Sequence, residues 1–290
     1  MFAGTIVNAL AQLAAPAVPV SHYENFPVAS RVGPPALRAA IAAIYAFARG
    51  ADDIADEGND APAVRVAGLD HYARMLDCIE TAADVTSDPT EPPFAALAAA
   101  IRRHALPIAP FRELLSAFRQ DVEKTRYANI DELLDYCRRS ANPIGRLLLH
   151  LYGVSDEVEL RRADAICTGL QLANFWQDVA LDWAKGRIYL PVDDMASFGV
   201  GESQIADGRV DERWRRLMAF ESARTRDLLR SGRPLAHALP LRARLELKMV
   251  VAGGLRILRA IDRAQGDVFR RRPVLRRRDW VLMFAATLAG

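Results

Sequence analysis

Histidine and cysteine are scarce in this chain, five and three in 290 residues, and neither type recurs at a ligand-like spacing. That excludes a zinc finger, a thiolate cluster and a disulfide scaffold. The cysteines, Cys78, Cys137 and Cys167, are odd in number, far apart and each in a helical pattern, as reduced thiols in a reducing cytoplasm would be. Charge of one sign is not in excess either. The 38 basic and 36 acidic residues leave a net +2, and no RNA- or DNA-binding motif accompanies them, so nucleic acid is not an expected partner. The first thirty residues hold no lysine or arginine, and Pro16 and Pro19 break their apolar stretch, so the basic start of an export signal is missing. The closing apolar run, WVLMFAATLAG after Asp279, falls far short of the ~20 residues a spanning helix needs. Alternating strand patterns, short-period repeats, low-complexity tracts and a GxGxxG nucleotide fingerprint are also lacking.

Helical periodicity fills what remains. With 51% apolar residues the chain can bury a large core, and an all-α single domain over 1–290 is expected, with 1–20 flexible and 267–290 a basic and apolar tail. Pro34-Pro35 reads as the start of a helix that ends at Gly58. Further helices are expected near 63–83, 92–105, 110–124, 130–152, 156–183, 209–231 and 234–266. DVTSDPTEPP reads as a surface loop, and Gly186 ends a helix in favour of the extended RIYLP.

Two acidic pairs carry the chemistry: Asp52/Asp56 in ARGADDIADEG and Asp178/Asp182 in NFWQDVALDWAKGRIYLP. Residues four apart lie on one helix face, so each pair aims two carboxylates into one space. A single such pair is commonly solvated surface. Here the second pair continues Asn174 at i, i+4, i+8 beside Leu172, Phe175, Trp176, Val179 and Leu181, and the first continues Tyr45 and Arg49 along one stripe. Crowded carboxylates repel unless a cation lies between them, and without nearby histidine or cysteine a hard cation such as Mg²⁺ is expected. Magnesium completes its shell with substrate phosphates, and Arg49, Lys185 and Arg187 stand ready for anions, so the expected substrate carries a diphosphate. Because each motif closes its helix, the diphosphate site is expected at one mouth of a bundle.

YAFARGADDIADE and NFWQDVALDWAKGRIYLP together resemble the two aspartate-rich motifs of the squalene/phytoene synthase family, and the likeness runs from about His22 to about Gln265. HYENFPVAS and YCRRSANPIGRLLL resemble in particular the hydroxysqualene-forming branch of the hopanoid pathway. The resemblance implies an isoprenoid-synthase helical bundle around a central cavity. It also implies that presqualene diphosphate and water, or farnesyl diphosphate upstream, are the substrates. It assigns Asp52, Asp56, Asn174, Asp178 and Asp182, with Asp53 as an additional candidate, to Mg²⁺. Arg49, Lys185 and Arg187 fall to diphosphate. His22 is placed near the cavity mouth, and Tyr136 and Gly145 along the substrate tunnel. Phe26, Tyr45, Phe47, Tyr136, Leu170, Phe175 and Tyr189 are expected to line a dry cavity in which aromatic faces steady a carbocation.

Asn142-Pro143 inside the 130–152 helix is expected to free a backbone carbonyl and to place an amide where one water is held. Tyr45 and Asn142 thereby join the acidic pairs as candidate catalytic residues. The alternatives are a squalene or phytoene synthase that condenses two prenyl diphosphates with the same ligands, and a non-catalytic isoprenoid-binding or assembly factor on the same fold. The two intact acidic pairs weigh against the latter. Six arginines at 270–272 and 276–278 form either a solvated tail or a contact to an anionic membrane, so the expected location is the cytoplasm, with peripheral contact at the inner face of the membrane on the second reading. Transient contact with neighbouring hopanoid-pathway enzymes is a further expectation.

Overall fold

The computed structural model describes residues 35–82, 89–275, 279 and 283, and among them every regular element is helical. A 3₁₀ turn at Pro35–Leu37 leads into α1 (Arg38–Asp56). It is followed by α2 (Pro62–Thr81), α3 (Phe94–His104), α4 (Ala109–Glu123), α5 (Ile130–Ser140) and α6 (Asn142–Leu151). The chain continues with α7 (Glu157–Ala184), two short helices α8 (Val192–Ser197) and α9 (Glu202–Ala206), α10 (Glu212–Gly232), a 3₁₀ stretch Arg233–Ala238 and α11 (Leu241–Arg263). No helix among the described residues is long and apolar enough to cross a membrane. None of the three cysteines forms a disulfide; Cys137 and Cys167 are buried, and Cys78 is exposed rather than packed.

The Cα packing groups the chain into two compact units, each drawn from three separated stretches. The first comprises residues 1–123, 139–160 and 239–243, the second 124–138, 161–238 and 244–290.

In the first unit α1 packs on α2, α3 and α4 through an alanine-rich face, Ala40, Ile44, Phe47, Ala48, Ala51 and Ala55. Phe47 is the hub of an aromatic cluster, with ring centroids 5.2 Å from Tyr72, 5.3 Å from Phe111 and 6.4 Å from Phe94. The first of these crossings depends on two missing side chains. A Cβ on Gly50 would strike the Tyr72 hydroxyl, and one on Gly68 would meet the Ile54 side chain at 2.9 Å, so α1 and α2 approach backbone to side chain in both directions.

In the second unit α7 is buried nearly all round from Ala163 to Val179, which explains a helix without a one-sided apolar stripe. Glycine again sets the spacing. Gly169 faces Leu229, Gly232 faces Ile166 and the Arg162 carbonyl, and Gly254 faces Leu170 and Leu229. Trp176 donates from Nε1 to Thr225 Oγ1 at 2.7 Å, and Thr225 donates to the Glu221 carbonyl at 2.8 Å, tying α7 to α10. The extended stretch after α7 runs beside residues 125–128: Ile188 N–H donates to the Thr125 carbonyl (3.0 Å) and Val192 N–H to that of Tyr127 (2.9 Å).

Candidate active site

The first acidic pair occupies the last turn and a half of α1. Asp52 is buried at 2% exposure, as is Tyr45 at 3%, whereas Asp56 and Arg49 are half-buried. Arg49 lies one turn before Asp52 and Asp53 on α1. Its Nε pairs with Asp53 Oδ1 at 2.7 Å, the residue one step round the helix. Burial pushes the Asp53 carboxyl above its usual range, the Arg49 guanidinium opposes that, and the neighbouring Asp52 and Glu57 charges add to the rise. The helix end is held by a residue that the sequence does not single out. Arg65, from the first turn of α2, donates to the carbonyls of Ala55 (2.7 Å), Ile54 (3.3 Å), Gly58 (2.8 Å) and Asp60 (3.0 Å). A cation is thereby fixed at the negative end of the α1 dipole.

The second pair closes α7. Gln171, Asn174, Asp178 and Asp182 form one polar column at steps of three, four and four, each no more than 4% exposed. Asn174 thus lies where the i, i+4, i+8 pattern puts it, and Gln171 extends the column by a turn that the sequence reading missed. Neither the Gln171 nor the Asn174 amide has a hydrogen-bond partner among the described residues. Buried amides left so would cost about 1–3 kcal/mol each unless something polar meets them. Leu181, counted with the apolar neighbours, is 49% exposed, because it falls on the turn where α7 emerges.

Arg272 grips Asp178 with both arms, Nε to Oδ1 at 2.5 Å and Nη2 to Oδ2 at 3.0 Å. Next to it the Gln177 amide donates to the Pro273 carbonyl. One arginine of the run expected to be a solvated tail or a membrane contact is therefore docked on the acidic column, and the other arginines at 276–278 lie outside the described residues. At the helix terminus Gly186 has φ +77°, the Gly186 N–H donates to the Trp183 carbonyl and the Arg187 N–H to that of Asp182. This left-handed glycine cap turns the chain back at once, placing exposed Lys185 and half-buried Arg187 within three and five residues of Asp182.

Beside the column stands an aromatic nest. Phe175 and Tyr189 stack at 3.8 Å with rings 8° apart, and Tyr136 lies 6.2 Å from Phe175 and 6.1 Å from Tyr189. Tyr127 completes it, 5.5 Å from Tyr136 and 5.6 Å from Tyr189; no periodicity marks this tyrosine in the sequence. Three of the expected lining residues are thus together on one unit. Asn142 and Gly145 belong to the first unit, and the helix expected over 130–152 is broken there. Ala141 leaves helical geometry at φ −120°, ψ −46°, so Pro143 stands in the first turn of α6 and interrupts no hydrogen bond. The expected freed carbonyl inside a helix is accordingly absent, while Asn142 is buried at 5% exposure. His22 and Phe26 lie outside the described residues.

Among the described residues no three histidine, cysteine or acidic side chains gather into a ready-made cage. Acidic pairs at two helix C-termini, where the dipole already disfavours carboxylates, together with the open Gln171 and Asn174 amides, fit a hard cation that arrives with an oxyanion.

A family profile described as squalene/phytoene synthase matches residues 20–279. The chain is 32% identical to the phytoene synthase of Arthrospira platensis over 268 residues, covering 88% of this chain and 85% of that protein. It is 35% identical to the hydroxysqualene synthase of Rhodopseudomonas palustris over 241 residues, 82% of this chain and 80% of that one. The crystal structure of squalene synthase HpnC from Alicyclobacillus acidocaldarius superposes with a TM-score of 0.77 at 38% identity, covering 90% of this chain and 94% of that one. A dehydrosqualene synthase structure shares the fold, with a TM-score of 0.82 at 21% identity over 99% of this chain and 95% of the other.

Proposed function

The chain belongs to the squalene/phytoene synthase family, and from that premise we propose that it converts presqualene diphosphate and water to hydroxysqualene, with Mg²⁺ bound at the acidic pairs. The observation that carries this reading is the juxtaposition on α7 of a buried acidic column with the aromatic nest of Phe175, Tyr189, Tyr136 and Tyr127. In the proposed reaction the carbon–oxygen bond to the diphosphate breaks heterolytically, and the leaving group takes both electrons. Asp52 and Asp56 on α1, and Asn174, Asp178 and Asp182 on α7, would hold Mg²⁺ ions, which would supply charge to offset that growing on the diphosphate. Arg49, Lys185 and Arg187 bind the oxyanion, and the aromatic faces favour the carbocation while keeping bulk water away. A single water then adds its oxygen to the cation and loses a proton. Relatives named hydroxysqualene synthase, and the segments HYENFPVAS and SANPIG, support water as the nucleophile.

The test is product analysis by mass spectrometry after incubation with presqualene diphosphate and Mg²⁺ in ¹⁸O-labelled water, without reductant. Hydroxysqualene carrying solvent oxygen is expected. Squalene formed only with added reduced nicotinamide, or phytoene from geranylgeranyl diphosphate, would move the assignment to the condensing reading, which the Arthrospira platensis relative favours. Asp52→Asn and Asp178→Asn should each lower turnover at least a thousandfold with an unchanged far-ultraviolet circular dichroism spectrum. EDTA should stop the reaction and Mg²⁺ restore it; turnover that persists in metal-free enzyme contradicts the metal assignment.

A further inference from the structure

A second opening in the same unit lies away from the acidic column. Thr225 of α10 meets Trp176 of α7, Leu229 meets Gly169 and Gly232 meets Ile166, so the two helices run antiparallel. The end of α10 therefore lies level with Ile166, twelve residues before Asp178 and about 18 Å along the helix at 1.5 Å per residue. There a cleft of about 610 Å³ opens between the end of α10, the 3₁₀ stretch and α11. Arg230, Arg233, His237, Lys248 and Arg259 ring it, and among the described residues no acidic one lines it. Among the described residues Arg233, Lys248 and Arg259 meet no carboxylate, and Arg230 has only the exposed Asp227 at 3.6 Å. In a chain whose charges nearly balance, such a gathering of unmatched cations is a local excess.

The cleft is also apolar underneath. Leu247, Val251 and Leu255, one turn apart on α11, form its floor. Met283 borders it as well, and Asp279 pairs with Arg256 of α11 at 2.7 Å. A free phosphate would use the cations and leave the floor unused, whereas a neutral lipid would leave the cations unused. We propose that the cleft seats the phosphate headgroup and upper acyl chain of an anionic phospholipid, so that this face docks on an anionic membrane surface. The inference does not depend on which prenyl diphosphate the acidic pairs process.

Cosedimentation of the full chain with vesicles tests it. Vesicles of phosphatidylcholine with one-third phosphatidylglycerol are expected to bind the protein, pure phosphatidylcholine vesicles are not, and inorganic phosphate at millimolar concentration should not compete. Each cation removed should weaken binding about fivefold, so R233Q/K248Q/R259Q should lose roughly a hundredfold while turnover on soluble substrate is unchanged. A charge-matched variant elsewhere, R74Q/R103Q/R215Q, should bind like the parent. Equal loss in both triple variants would show diffuse charge attraction and overturn the cleft. Loss confined to R276Q/R277Q/R278Q would move the contact to the arginine run. Full competition by inorganic phosphate would make the site one for a soluble anion.

Discussion

The four hydrogen bonds of Arg65 hold the terminus from which Asp52 and Asp56 project. Arg65→Ala is expected to lower stability by about 2 kcal/mol, the scale of bonds from a charged donor, read as a shift in urea midpoint at unchanged slope. Arg65→Lys should recover only part, because an ammonium cannot fork across several carbonyls. Arg272 is a second such residue. Asp178 is 3% exposed at its side chain, so Arg272→Gln leaves a buried carboxylate without its guanidinium and is expected to cost about 3 kcal/mol in metal-free protein, more than Asp178→Asn. A urea titration in which Asp178→Asn costs more would refute that order. The positions of Asn174, Asp178 and Asp182 were legible because i, i+4 spacing is a local property of a helix. The partner of Asp178 was not, since Arg272 lies 94 residues away within a run of like residues that gives no reason to choose one over another.

The long helices were legible from periodicity: α1, α2, α4 and α7 begin and end within a few residues of their expected bounds. Three departures have physical causes. α8 and α9, six and five residues long, are too short to show a period and were missed. The 130–152 pattern is continuous in polarity across Ala141, yet Pro143 cannot donate in an interior turn, so the chain restarts there as α6. The 234–266 pattern likewise starts as a separate 3₁₀ stretch before Pro240. Between α8 and α10 the carboxyl of Glu221 is fully buried, and burial pushes it up to about 8, against the pull of Arg224; hydrogen bonding to Asp194 and the charges of Asp194 and Asp193 add to the rise. The folded state thus keeps a proton that the unfolded chain releases near 4.5, so stability should fall as pH rises from about 4.5 to about 8 and then level. Glu221→Gln, which keeps a donor for Asp194, should flatten the melting temperature across pH 5–8. A slope identical to the parent's would place the proton elsewhere.

At the scale of the whole molecule, the all-α class and the family were legible because composition, periodicity and two long motifs agree. The grouping into two units was not, since each is assembled from stretches far apart in the chain. The proposed binding of a cation and a diphosphate at the acidic pairs predicts that the protein gains stability by mass action when both are added. Inorganic pyrophosphate with Mg²⁺ at 100 times its dissociation constant should stabilise by about 2.7 kcal/mol and raise the melting temperature by roughly 5 °C or more. Mg²⁺ or pyrophosphate alone should shift it less. An equal shift by pyrophosphate without metal would mean that the basic side chains alone take the anion.

The burial of α7 on all sides also sets a timetable for synthesis. Its indole waits for Thr225, its Gln177 for the Pro273 carbonyl and its Asp178 for Arg272, and all of these follow Ala184 in the chain. At about 5–20 residues per second, roughly 4 to 18 s separate the end of this helix from the arrival of Arg272. For that interval the nascent chain carries Asp178 without its guanidinium, and for the first part of it Trp176 without its acceptor, so the most enclosed element of the finished protein is completed only by the end of the chain.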